Sequence, residues 1–231
     1  MNVNEICETH KGRDVTFNIF SRVFIDVPDE ASDKLFADTC EYLLSVAEFS
    51  ENGDLKKGAQ ILNTLLPADK SALAGWFAEN RLERAKDYTF LFVLGQGSVS
   101  TFESVYRSPE RLIKQDPWSE VKAVYAENCF KKAEGNRQLE DHVSLELQFM
   151  GLMSKKIAEL FQKEDFDAAE AKLNVQKSFY DSHIFKWIPD FCDRVIAKSE
   201  KLHSQFYVAY AYLLKGFLTE DMLFLEDLLG E

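Results

Sequence analysis

At 231 residues, 46% hydrophobic and 29% charged, the chain has the composition of a folded protein and the length to bury a core. Its formal charge of −12 repels phosphate backbones, which argues against a nucleic-acid partner. Four scattered cysteines (Cys7, Cys40, Cys129, Cys192) suit neither a zinc framework nor a disulfide scaffold.

Phe is used 19 times while Pro (5) and Gly (10) are scarce, so long helices are expected rather than strands. Residues 1–12 read as a mobile lead-in with no signal-peptide core. Val15, Phe17, Ile19, Phe20, Val23 and Phe24 predict an apolar helix over 13–25, ended by Pro28. Residues 29–49 follow, with Leu35, Phe36, Tyr42, Leu43, Val46 and Phe49 inward. Asn52-Gly53 marks a turn, and 54–66 a helix closed by Pro67. Asp69 caps a segment running to Leu94, one helix or two. Gly95-Gln96-Gly97-Ser98-Val99-Ser100-Thr101 is the clearest loop, and Ser104-Val105-Tyr106 leads to a polar connector.

Asp116-Pro117 reads as a helix start, a capping carboxylate followed by Pro at the first helical position, where its missing N–H costs nothing. Val121, Val124, Tyr125 and Phe130 form its inner face. Over 141–162, Leu145, Phe149, Leu152, Met153, Lys156, Ile157, Leu160 and Phe161 recur at steps of three and four, a stripe facing a core. Glu140 or Asp141 stands where a carboxylate takes the unpaired N–H groups of a helix start, with His142 beside it. Asp165 begins a further helix. The series Gln176, Phe179, His183, Trp187 and Phe191 shares one face if that helix continues, and Pro189 is expected to bend or break it. Residues 206–217 form a central apolar helix, and Thr219 caps a last short one over 220–229.

Nothing alternates with period two, and no repeat of fixed length appears. The expected architecture is all-α, a single globular bundle of about nine or ten helices in one domain, 1–231. Its loose halves, about 13–106 and 116–231, are joined by the connector. No apolar run is long enough to span a bilayer.

Candidate chemistry is sparse. The Gly95–Ser98 stretch lacks a phosphate-cradle pattern. His10, His142, His183 and His203 offer no i,i+4 pair for a metal, and no nucleophile elbow is present. Neither a catalytic residue nor a metal site is expected. Taken alone, Asp141-His142 reads as a helix cap beside a half-exposed imidazole. His183 with Trp187 reads as packing, and Trp76, Phe77 and Phe92 as core. The aromatics near loops, Trp76, Phe102 and Trp118, exceed what a core needs and suit a groove for an apolar peptide.

Three segments, in order, carry a resemblance. They are Tyr88-Thr89-Phe90-Leu91-Phe92 with Gly95 and then Phe102-Glu103-Ser104-Val105-Tyr106; Glu140-Asp141-His142 followed by Leu145-Glu146-Leu147-Gln148-Phe149-Met150; and Gln176, Phe179, His183, Trp187, Pro189 and Phe191 at their spacing. Together they resemble the TorD/DmsD family of cytoplasmic chaperones for molybdenum-cofactor enzymes, over nearly the whole chain. The resemblance implies an all-helical, TorD-like fold, a cytoplasmic location and no catalytic activity. It also implies binding of the twin-arginine leader of an apo-oxidoreductase, which is held back from export until its cofactor is in place. Carried over by position, the leader-binding residues are Trp76, Phe77, Tyr88, Phe92, Gly95, Ser104, Asp141 and His142, with Glu140 beside them. Gln176, Phe179, His183, Trp187 and Phe191 form a structural motif. Family members often have Trp-Gly where this chain has Phe102-Glu103.

A twin-arginine leader has a basic front and an apolar middle, so its receptor needs carboxylates and an aromatic groove. Asp141 is expected to pair with a leader arginine or to fix His142. A nitrate-reductase-type assembly chaperone for a subunit that is not exported is the competing reading within the binding class. A nucleotide-binding helical enzyme is the reading from another class; some relatives interact with GTP, but the sequence offers no phosphate site, so no cofactor is expected. The chain is expected as a monomer, or as a dimer exchanging domains about a hinge at 108–115.

Overall fold

In the computed structural model, which describes residues 1–95 and 97–230, every regular element is a helix; the β pairing present is an isolated antiparallel bridge between Phe102 and His142. The architecture is therefore all-α. Gln96, at the centre of the expected glycine loop, lies outside the described residues.

Helix α1 (Val3–Ile25) starts ten residues before the apolar run suggests. Residues 1–12 are not a lead-in: Asn2 and Glu5 exchange two 3.0 Å bonds at its start, and Cys7 and His10 are buried. Their polarity hid this start, because the inward face carries only Ile6 and Cys7 before the polar His10 and Arg13. Helix α2 (Glu30–Glu48) opens on a reciprocal Asp29–Ser32 cap, and α3 (Gly53–Leu65) on the Asn52 side chain. Asp69 caps a short 3-10 turn. The long segment beyond it is two helices, α4 (Leu73–Glu79) and α5 (Arg81–Tyr88), extended by a π turn at Thr89–Val93. A short α6 (Glu103–Arg107) follows the loop.

Helix α7 (Asp116–Glu127) has Gln115 as its N-cap. Asp116 thus sits inside the first turn, favoured by the helix dipole rather than by capping. Helix α8 (Val143–Gln162) starts two residues later than expected, and its cap is His142, not Glu140 or Asp141. Asp165 caps α9 (Phe166–Phe179). A π turn (Tyr180–Ile184) then leads into α10 (Phe185–Ile196), which contains Pro189. The irregularity expected at Pro189 therefore falls upstream: proline crowds the carbonyl four residues back, at Phe185, where α10 begins. Helix α11 (Phe206–Leu229) is continuous. Thr219 lies inside it, its hydroxyl donating to Lys215 O at 3.1 Å, so it caps nothing.

The chain divides into two compact units, both discontinuous. The first comprises Met1–Ser21, Phe102–Ile188 and Asp221–Glu231; the second Arg22–Thr101 and Pro189–Glu220. In the first, α8 packs on α9, and Tyr125, Phe149 and Phe179 form an aromatic stack with centroids 4.8–5.1 Å apart for adjacent rings. Buried Arg13 binds Asp221 through Nε (2.5 Å) and Nη2 (2.8 Å), and donates to Gln176 Oε1 (3.0 Å). Gln176 in turn donates to Met150 O (2.7 Å) and Ser154 Oγ (2.9 Å) on α8. Its place in the spaced series is thus to close a buried polar network in which the charge is paired.

In the second unit, Phe36, Phe77, Phe206 and Tyr210 pack around buried Arg84. Arg84 Nη2 donates to Asp33 (2.5 Å) and Phe77 O (2.5 Å), and the guanidinium lies 5.2 Å from the Phe77 and Phe206 ring centres. Gly58 and Gly216 let α3 and α11 approach closely. A Cβ at Gly58 would stand 2.7 Å from Ala209 O, and one at Gly216 2.6 Å from Leu55 N.

Candidate functional site

In the first unit the expected residues Ser104, Asp141 and His142 come together, and all three are buried. Asp141 Oδ2 accepts from both Ser104 N (3.0 Å) and Ser104 Oγ (2.6 Å), which fixes the first turn of α6. Glu103 N donates to Asp141 O at 2.9 Å. Burial pushes the Asp141 carboxyl above its ordinary range, against the pull of Ser104. Asp141 has no solvent exposure. Pairing with a leader arginine, expected for it, would require this packing to open, and its carboxylate holds Ser104 rather than the His142 ring.

His142 begins α8. Its Nδ1 accepts from Ser144 N at 3.2 Å, which requires that nitrogen to be unprotonated. Burial lowers the imidazole to about 3, so the ring is neutral at physiological pH. Phe102 packs edge-on against it at 5.1 Å. Glu140 is half-buried and binds Trp118 Nε1 (2.5 Å) and Lys132 Nζ (3.1 Å).

Two buried carboxyls without an assigned role in the sequence complete this cluster. Glu103 meets Arg107 Nη1 (2.6 Å) and His183 Nδ1 (2.9 Å), and Glu146 Oε2 accepts from Trp187 Nε1 (2.9 Å). The structural motif residues His183 and Trp187 are therefore partners of acids on α6 and α8. A buried acid in an otherwise apolar helical stripe was the available signal: Glu146 sits within the Leu145–Met150 run.

A polar recess of ≈ 500 Å³, lined by Arg107, Glu120, Asp181, Ser182, His183 and Lys186, opens on the same unit, together with two that are more apolar. One of these two, of ≈ 310 Å³, lies between α7 and α9 and reaches Phe179 and His183; the other, of ≈ 350 Å³, is lined by Phe130, Phe149, Leu152 and Met153. None of the three is lined by Asp141 or His142.

In the second unit, Phe77 and Tyr88 are core residues, Trp76 and Phe92 are half-buried, and Gly95 is exposed. Phe92 sits in an aromatic group with Tyr88 (5.0 Å), Phe191 (5.9 Å) and Tyr207 (5.8 Å). Phe191, the last residue of the spaced series, therefore packs here. Gly95 and Gly97 have φ of 81° and 94°, which explains glycine at both. Beside them the π turn and the residue after it expose Phe90, Val93 and Leu94, the last two by 60% and 65%. Phe90 lies in the first segment that carries the resemblance; the sequence does not single out Val93 and Leu94, though they adjoin residues that it does.

Among the described residues no group of three or more His, Cys, Asp or Glu is arranged to hold a metal ion, and no helix is long and apolar enough to cross a membrane.

Comparison of the sequence with known proteins finds relatives. The profile of the nitrate reductase delta subunit family matches residues 55–193. Chaperone protein TorD of Photobacterium profundum is 28% identical over 152 residues, 65% of this chain and 66% of that protein. Chaperone protein TorD of Vibrio parahaemolyticus matches to the same extent, and that of Psychrobacter sp. is 27% identical over 151 residues. The chain thus spans just under two thirds of the length of the TorD proteins it matches.

Proposed function

The chain belongs to the nitrate reductase delta subunit family, and on that premise we propose that it is a maturation chaperone for a molybdenum-cofactor oxidoreductase, without catalytic activity of its own. The observation that carries this reading is the match of residues 55–193 together with the TorD relatives. The matched stretch contains Ser104, Glu140, Asp141 and His142 in the first unit and Trp76, Phe77, Tyr88, Phe92 and Gly95 in the second.

The finer reading is that the chain acts in the cytoplasm, binds the twin-arginine leader of the apo-enzyme, assists cofactor insertion and delays export. The residues divide by exposure. Asp141 and His142 in the first unit, and Phe77 and Tyr88 in the second, are buried, and buried side chains contact no incoming peptide without rearrangement. Glu140, Trp76, Phe92 and Gly95 stand nearer the surface, and the Phe90–Val93–Leu94 edge offers apolar area to the leader's middle segment. The acidic chain attracts its basic front.

Titration of the purified protein with a synthetic leader tests this reading. Saturable binding that weakens with added salt supports it. Unchanged affinity in a folded Asp141→Ala, His142→Ala double variant removes these two residues from the site.

A further inference from the structure

Three carboxyl groups, those of Glu103, Asp141 and Glu146, have no solvent exposure and belong to the same unit. Their partners are unequal. Glu103 has Arg107 and His183 within 2.6 and 2.9 Å, and Asp141 has both donors of Ser104. Glu146 has the indole N–H of Trp187 on Oε2, while its Oε1 is buried and faces no donor. An ionised carboxylate in a dry interior requires a cation or several donors, and Glu146 has neither. The group that acts on it most strongly, both as a like charge and as a hydrogen-bonding partner, is the Glu103 carboxyl, itself without solvent exposure. Two bare carboxylates repel, whereas an acid and a carboxylate bond.

We propose that Glu146 is a carboxylic acid in the folded protein at neutral pH, that it donates its proton to Glu103, and that this shared proton latches α6 to α8. With the proton in place the pair carries one negative charge, which Arg107 and His183 meet. Without it a second charge enters a cluster whose other titratable members are mostly acids. From α6 come Glu103 and Arg107, and from α7 Tyr125. Glu140 and Asp141 precede α8. The π turn supplies His183, and α10 supplies the neutral Trp187. Burial first, and Glu103 second, hold the Glu146 carboxyl well above its ordinary range. Tyr125 is likewise held protonated by burial and by these acids.

The sign follows from linkage. A raised folded-state pKa means stability that is complete below the unfolded carboxyl value and declines as pH rises toward the folded one. Because α6 carries Ser104, loss of the proton also loosens the Asp141 cap. The device is independent of the leader-binding reading.

The test is a carbon-13 NMR titration of the glutamate side-chain carboxyls in the whole protein, with Glu146 assigned through bonds. The Glu146 carboxyl stays at the position of the protonated acid at pH 7. It ionises at lower pH in Glu103→Gln, where the repelling charge is gone. Glu146→Gln keeps an acceptor for Trp187 and a donor for Glu103, so its Tm exceeds that of the parent by a margin that grows with pH, to roughly 3 °C or more at pH 8. A Glu146 carboxyl already ionised at pH 7 overturns the proposal. So does a Tm difference that does not change between pH 5 and 8. If Glu146→Gln does not fold, the titration of the parent protein decides alone.

Discussion

Ser104 gives both of its donors to a single oxygen of Asp141, the backbone N–H at 3.0 Å and the hydroxyl at 2.6 Å. Helix α6 is too short to be stable by itself. Its first turn is instead organised by a carboxylate 37 positions further along the chain, immediately before α8.

This relationship predicts graded effects at Asp141. Alanine leaves two buried donors unmet and lowers stability by about 2–3 kcal/mol in urea unfolding. Asparagine keeps a carbonyl acceptor and costs less than half as much. Equal losses for the two variants would show that the carboxylate oxygen is not the group that matters.

His142 predicts an acid limb. Its folded-state value is lowered from 6.5 to about 3 by burial. A depressed pKa means stability that is complete above the unfolded value and is lost as pH falls from about 6.5 toward 3. In His142→Asn, which retains a capping acceptor without a titrating ring, the loss between pH 6.5 and 5 is shallower than in the parent. Identical slopes would contradict the assignment.

The Arg13–Asp221 pair is buried at both ends. Asp221→Ala strands the guanidinium and the Tyr180 hydroxyl, which donates to Asp221 at 2.6 Å, and costs about 3–5 kcal/mol. The double variant Arg13→Met, Asp221→Leu recovers much of that loss, because no unpaired charge remains. A double variant as unstable as the single one would contradict this account.

Gly58 and Gly216 are fixed by backbone proximity rather than by a turn. In each, alanine places a Cβ within 2.7 Å of backbone atoms, Ala209 O in one case and Leu55 N in the other. Each substitution lowers stability by about 1–3 kcal/mol in denaturant unfolding, despite alanine's better helix propensity. Gly75, where an added Cβ would meet nothing within 4 Å, gains from the same change and serves as the control.

Most helices from α2 onward are legible because their signals are local; α6 is not, since Ser104-Val105-Tyr106 reads as the lead into a connector, and α11 reads as two helices. Asp69 and Asp165 each announce a start, Asn52-Gly53 marks the turn before a helix, and the α8 stripe repeats at the period of a helix face. The errors came where distant partners decide. The first turns of α1 look polar because His10 and Arg13 face inward, and Arg13 is balanced by Asp221 from the far end of the chain. His142 took the cap because Asp141 was already bound to Ser104. The order Asp141-His142 was visible in the sequence, but its burial was not, since nothing local says that Glu103 and Glu146 share the same interior. Nothing local says that Phe90, Val93 and Leu94 are exposed; they lie at the π turn and just before Gly95, whose φ is positive.

We propose that this chain holds the leader of a molybdenum-cofactor oxidoreductase, and calorimetric titration with that peptide reads the binding itself. The account predicts one saturable site, weakened at least about tenfold when both arginines are replaced by alanine and again when Val93 and Leu94 are changed to Asp in a folded variant. A folded protein that binds the arginine-free leader as tightly as the native one, or that captures the oxidoreductase equally well with its leader removed, would contradict it.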